Sequence, residues 1–204
     1  MQIRAMAVGP IETNCYIVTD EKAMTCAIID PGDEATRILD YLEKFKLTCN
    51  HILLTHAHFD HVGAVIDLLE ELPEAKLYMS EEDNGKAIGS EMWAFKAPEG
   101  TIFIKDGDIV EVSALRLQVV ATPGHTPGSV CFVCEDAIFS GDTLFKGSCG
   151  RTDFLLSDTQ QIMKSLFRLA QLPGDYEIFP GHMGSTTMER EKRHNYFMVM
   201  ACDR

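Results

Sequence analysis

Two β-sheets packed face to face with helices outside is the architecture this sequence predicts, and three observations carry it. Strand-like segments fall into two groups, each followed by segments of helical periodicity. The side chains most able to hold a metal stand directly after apolar strands. The length, 204 residues, suits one domain, residues 1–204, with a substantial core.

In chain order, residues 2–8, 15–19 and 25–30 alternate or run apolar between turn residues, as antiparallel strands do. Asp30-Pro31-Gly32-Asp33 stops the third strand. Asp33 then reads as the N-cap of a helix over 34–45, where Ile38, Leu39, Leu42 and Phe45 recur at helical spacing. The run 51–54 predicts a short buried strand, residues 62–71 a helix and residues 77–79 a further strand. Residues 80–100 are less regular and hold the sole tryptophan, Trp93, beside Phe95, bounded by Gly89 and by Pro98-Glu99-Gly100. This stretch is either a lid over a site or a local core that pins a loop.

Asp106-Gly107-Asp108 predicts a hairpin turn, and 109–112, 115–121, 130–134 and 137–140 predict strands. A helix over 158–172 places Ile162, Leu166 and Leu169 on one face, with Ser157 or Asp158 as cap. A strand over 176–179 and a polar helix over 186–196 complete the pattern.

Composition narrows the function classes. With 46% hydrophobic and 24% charged residues, no bilayer-length apolar run and no signal-peptide pattern, the chain reads as a cytoplasmic globular protein with no membrane partner. A formal net charge of -13 opposes binding to a phosphate backbone, so no nucleic-acid partner is expected. Lys146, Arg151 and the 190–193 segment are the basic candidates for a small anionic substrate, the last reading as solvated surface. Cysteines 15, 26, 49, 131, 134, 149 and 202 are odd in number and lie mostly in apolar segments, which predicts reduced thiols. Cys131 and Cys134 form a C-x-x-C in a strand-like run without a second pair, and read as core packing.

The chain is organised around Thr55-His56-Ala57-His58-Phe59-Asp60-His61-Val62-Gly63, where four metal-competent side chains fall within six positions, three of them from the protein's seven histidines. Imidazole and carboxylate are the ligand set of zinc and other borderline first-row metals. His125 stands in Thr122-Pro123-Gly124-His125-Thr126-Pro127-Gly128, Asp142 in Ser140-Gly141-Asp142-Thr143 and His182 in Pro180-Gly181-His182, each directly after an apolar strand. Glycine and proline in such turns let the backbone approach closely and hold one direction. Outside this pattern, His51 reads as a hydrogen-bonded structural residue and His194 as solvent-facing.

These motifs closely resemble those of the metallo-β-lactamase fold superfamily, over nearly the whole chain. The resemblance implies an αββα four-layer sandwich of two mixed sheets with a dinuclear metal site at one edge. It implies that His56, His58 and His125 hold one metal, that Asp60, His61 and His182 hold the second, and that Asp142 bridges both. Two divalent ions are expected, zinc first, with iron or manganese as alternatives. Thr13-Asn14-Cys15-Tyr16, Ile29-Asp30-Pro31-Gly32, Gly150-Arg151-Thr152-Asp153-Phe154 and Pro180-Gly181-His182-Met183-Gly184 look like the short glyoxalase II-like hydrolases. They imply a thioesterase of the hydroxyacylglutathione hydrolase type, whose small-molecule partner is a thioester or ester, glutathione-linked in the family. The match stops just after the last helix, short of the C-terminal helical domain of full-length glyoxalase II. The family's Asn-Pro near the end is here Asn195-Tyr196.

The chemistry follows from the ligand types. Two metals about 3.5 to 4 Å apart can share one hydroxide and aim it at an electrophilic carbon. Asp60, while binding metal, can accept a hydrogen bond from that nucleophile, which makes it the catalytic candidate. A thiolate with a conjugate-acid pKa of about 8.5 leaves without protonation, whereas an alkoxide needs an acid, and no spare histidine stands beside the motif. Lys146 and Arg151, close after Asp142, are placed to bind a substrate carboxylate. Ser148-Cys149-Gly150-Arg151-Thr152-Asp153-Phe154 also comes near a stretch of persulfide dioxygenases of the same superfamily, which use one iron, and an esterase or lactonase of this fold is a further alternative. Flavodiiron proteins differ at one ligand and carry a flavodoxin domain, features this chain lacks.

Overall fold

The computed structural model describes residues 1–88 and 93–203. One mixed sheet runs in the order β1 (Gln2–Val8), β2 (Thr13–Asp20), β3 (Thr25–Ile29), β4 (Thr48–Leu53), β5 (Lys76–Ser80), β6 (Ile102–Ile104). Its first three strands are antiparallel and its last four mutually parallel. The second sheet comprises β7 (Ile109–Val112), β8 (Leu115–Ala121), β9 (Val130–Cys134), β10 (Ala137–Gly141), β13 (Glu177–Pro180) and β14 (Thr186–Thr187), in the order β14-β13-β10-β9-β8-β7. Between β10 and β13 the chain forms a separate antiparallel hairpin, β11 (Leu144–Phe145) with β12 (Ser148–Cys149).

Alternation along the strands explains four layers. On β3, Ala27 and Ile29 face the second sheet and pack with Val119, Phe132 and Phe139. Cys26 and Ile28 face outward onto α1 (Ala35–Phe45) and α3 (Val65–Glu71), through Ile38, Leu42, Val65 and Leu68. The outer face of the second sheet is covered by α4 (Thr159–Ala170), α5 (Met188–His194) and α6 (Tyr196–Cys202), with Ile162, Leu166, Leu169 and Met198 around Ile138 and Ile178. The αββα sandwich is therefore present, and central strands are apolar on both faces because both faces are buried. The C-x-x-C belongs to this pattern: Cys131 packs under the helices and Cys134 between the sheets, so the two thiols lie on opposite faces of β9. All seven cysteines are free. No helix of the described residues is long and apolar enough to cross a membrane.

The structure departs from the sequence reading at several junctions. Asp33 does not cap α1: Glu34 takes a left-handed conformation at φ 56°, and its carboxylate accepts from Gly9 N–H and Arg37, tying the helix start to the β1–β2 turn. The 62–71 helix is split into α2 (Phe59–Val62) and α3, because Ala64 N–H donates to Pro31 O of the neighbouring loop. Asp106-Gly107-Asp108 is no hairpin turn: it carries the chain from β6 in one sheet to β7 in the other. Of the 80–100 stretch, Phe95 joins the core and Trp93 lies edge-on to Phe59, whereas Gly89 lies outside the described residues. His51 stacks on Tyr78 with Nδ1 unpaired, in place of the expected hydrogen bond, and His194 is exposed as expected.

The C-terminal helix breaks at Asn195, which caps α6 by accepting from Phe197 and Met198 N–H. The Asn195 amide also donates to Phe145 O, Ser148 O and the buried Glu191 carboxylate, which itself accepts from Gly147 N–H, Thr186 and Arg190. This network clamps the β11–β12 hairpin beside the cleft.

Candidate metal centre

The carboxyl ends of β3, β4, β8, β10 and β13 are followed by the turns carrying Asp30, His56 and His58, His125, Asp142 and His182. Ligands gather at carboxyl strand ends in α/β folds because side chains from several turns converge there. The structure brings together all seven residues named from the sequence as candidate ligands. Ligand atoms of His56, His58 and His125 lie within 4.8 Å of one another, as do those of Asp60, His61 and His182. Asp142 stands between the groups: Oδ2 is 3.4 Å from His125 Nε2 and 3.7 Å from His182 Nε2, and Oδ1 is 3.5 Å from His61 Nε2.

Space here is tight. A Cβ on Gly181 would fall 2.2 Å from Asp142 Oδ1, and one on Gly150 would fall 1.8 Å from Asp142 O, so only glycine lets these loops close on the aspartate.

Supporting hydrogen bonds orient the rings. Asp30 accepts from Thr55 N–H and Oγ1–H at 2.7 and 2.6 Å and from His61 Nδ1 at 3.0 Å, so both its oxygens are occupied and it orients His61. His125 Nδ1 donates to Arg151 O at 2.9 Å. Asp60 Oδ2 accepts from Thr13 Oγ1–H at 2.9 Å and lies 3.2 Å from His182 Nε2. Asn14 donates its amide to Pro180 O and Met183 O, and Tyr16 its hydroxyl to Pro180 O at 2.6 Å, which fixes the His182 turn. The Thr13-Asn14-Cys15-Tyr16 motif thus serves the site from β2.

Charge distribution differs between the two groups. Burial, with the neighbouring imidazoles, holds His56 well below the ordinary histidine pKa and pushes His58 down to about 3, so both are neutral and keep a lone pair for a metal. Burial works against charge on His61 and His182 too, yet Asp30 and Asp142 outweigh it for His61, and Asp60 with Asp142 for His182, and both stand above the ordinary value. His56 Nε2, His58 Nε2, His61 Nε2 and Asp142 Oδ1 are buried without a hydrogen-bond partner. Buried polar atoms are otherwise nearly always paired, so this concentration of unpaired nitrogen and oxygen fits divalent metal ions.

One residue of the site was not legible in the sequence. Asp83, buried after β5, accepts from Ala57 N–H at 3.1 Å, Thr126 Oγ1–H at 2.8 Å and Gly128 N–H at 2.7 Å, joining the His56–His58 turn to the His125 turn. In Glu81-Glu82-Asp83 it looks like any solvated acidic run. Asp83→Ala is expected to lower metal affinity about 10- to 100-fold, measured by chelator competition, because the turns lose their common acceptor. Unchanged affinity would reduce Asp83 to a packing role.

The predicted substrate-binding residues separate. Arg151 lies on the rim of the cleft, its guanidinium paired with Asp153 at 2.6 Å and 4.2 Å above the Phe154 ring. Lys146 is not brought to the cleft. It sits exposed on the two-residue turn of the β11–β12 hairpin, which directs it to solvent while Phe145 and Ser148 line the cavity.

Residues 8–182 match the family model of the metallo-β-lactamase superfamily, and the chain belongs to that superfamily. By class it is a metal-binding hydrolase of this fold. An uncharacterised protein of Aquifex aeolicus is 39% identical over 97% of each chain. The hydroxyacylglutathione hydrolase GloC of Haemophilus influenzae is 33% identical, covering 97% of this chain and 98% of its own. Among solved structures, BLEG-1 B3 metallo-β-lactamase superposes with a TM-score of 0.88 at 30% identity, covering 97% of this chain and all of its own. ETHE1 from Myxococcus xanthus gives 0.85 at 30% identity, over 98% and 90%. TTHA1623 in a di-iron-bound form gives 0.83 at 36% identity, over 95% and 99%.

Proposed function

We propose that this protein is a dinuclear-metal thioester hydrolase of the hydroxyacylglutathione hydrolase type, acting on a small-molecule thioester in the cytoplasm. The observation that carries the reading is Asp142 standing between two three-residue groups, each able to complete one metal subsite. His56, His58 and His125 would hold one ion, Asp60, His61 and His182 the other, and Asp142 both. Zinc is the first expectation, and the di-iron form of TTHA1623 supports iron as an alternative. Bound there, two such ions would activate water and polarise a carbonyl.

The chain's own residues supply the rest. Asp60 Oδ2, held by Thr13, belongs to the second group beside His61 and His182, and would accept the hydrogen bond that orients the attacking water. Asp30 and Arg151 O hold His61 and His125 in the required direction. Every histidine at the centre is engaged as a ligand candidate, which leaves no acid for an alkoxide and favours a thiolate leaving group.

A second reading, a mononuclear iron persulfide dioxygenase, is favoured by the ETHE1 superposition together with the residues from Ser148 to Phe154. Protein reconstituted separately with zinc, manganese and iron is expected to release thiol from a thioester panel that includes S-lactoylglutathione, with two metals per chain. Absence of thiol release from every thioester would sink the hydrolase reading.

A further inference from the structure

The cleft in front of the metal centre encloses about 800 Å³, within the range of small-molecule pockets. Its walls are largely apolar. Phe154 stands 5.3 Å from the His58 ring and 5.9 Å from the His125 ring, while Phe145 stands 6.2 Å from His182 on the other group. Further out, Phe59 meets Trp93 edge-on at 6.3 Å, with Ile88 also lining the cavity. At the mouth, Phe59 and Met183 remain 59% and 61% exposed, apolar area that a ligand would remove from water.

Positive charge is scarce by comparison. Among the described lining residues Arg151 is the only lysine or arginine, and Asp153 already takes its Nε and Nη2, both at 2.6 Å. A substrate recognised through several carboxylates finds little to pair with here, and the net charge of -13 does not draw it in.

Building on the thioester-hydrolase reading, we propose that the cleft selects thioesters whose acyl group is a neutral, apolar chain or aryl group, in preference to a short hydroxy acid. The acyl group lies against Phe145, Phe154, Phe59 and Trp93, and the thiol part leaves past Arg151, which offers at most one shared contact to a carboxylate. The reaction itself is ordinary hydrolysis. The oxygen of water bonds to the acyl carbon, the carbon–sulfur bond breaks with its electron pair on sulfur, and the products are a carboxylate, a thiol and one proton.

The test holds the thiol constant and varies the acyl group: S-lactoyl-, S-propanoyl-, S-pentanoyl- and S-phenylacetylglutathione, offered to the metal-replete protein. The ratio kcat/KM is expected to rise about three- to fourfold per added methylene until the cavity is filled. The phenylacetyl ester should exceed the lactoyl ester by roughly tenfold or more. Phe59→Ser should flatten this gradient while metal content stays unchanged.

A binding readout is independent of turnover. Trp93 is the sole tryptophan, so phenylacetate and pentanoate should perturb its fluorescence at lower concentrations than lactate does. Thioesters cleaved with no gradient, or with lactoyl favoured, overturn the apolar selection and leave the hydrolase intact. Apolar acids that bind beside Trp93 without cleavage of any thioester overturn the hydrolase reading and keep the apolar ligand class.

Discussion

Asp142→Ala is expected to strip metal from both halves of the centre and to lower thioester hydrolysis roughly a thousandfold or more. Loss of one preorganised electrostatic group already costs about 10² to 10³ in rate, and this carboxylate faces both groups at once. The measurement pairs metal content per chain with thiol release. The far-UV circular dichroism of the metal-free variant is expected to match that of metal-free wild type, because Asp142 lies in the turn after β10 and outside the apolar cores. Loss of activity is then not unfolding. A variant that retains two metals and normal turnover would refute the bridging role.

Replacing both His61 and His182 with alanine should remove about half of the bound metal and most thioester hydrolysis, leaving His56, His58 and His125 to hold one ion. This is the sharpest separation of the two enzyme readings. An iron dioxygenase needs two histidines and one carboxylate with open positions, which His56, His125 and Asp142 could supply without His61 or His182. The wild-type protein reconstituted with iron and offered glutathione persulfide is expected to consume no oxygen. Oxygen uptake that survives the double substitution, at one metal per chain throughout, would install the dioxygenase.

Much of this molecule was legible from local pattern. Strands such as β3 and β9 are short and apolar, and helices α1 and α4 show a clear 3.6-residue period, because burial of a face imposes its own spacing. The failures lie where a backbone partner comes from far along the chain. The split between α2 and α3 depends on Pro31 O, and the start of α1 on Gly9. Strand β6 exists because β5 offers it a parallel edge, a pairing with no period inside three residues.

The same division holds at the centre. By itself the sequence determined the candidate ligands, since seven metal-competent side chains placed after strands, four of them within six positions, carry their chemistry in residue type and local spacing. Only the tertiary structure decided which groups meet. It put Asp142 between the two groups, enlisted Thr13, Asn14 and Tyr16 from β2, revealed Asp83 as the acceptor that joins two ligand turns, and sent Lys146 to solvent while Arg151 stayed at the rim. Those outcomes depend on distances between residues remote in sequence, and such distances are set by how the two sheets pack, which no local pattern of residues encodes.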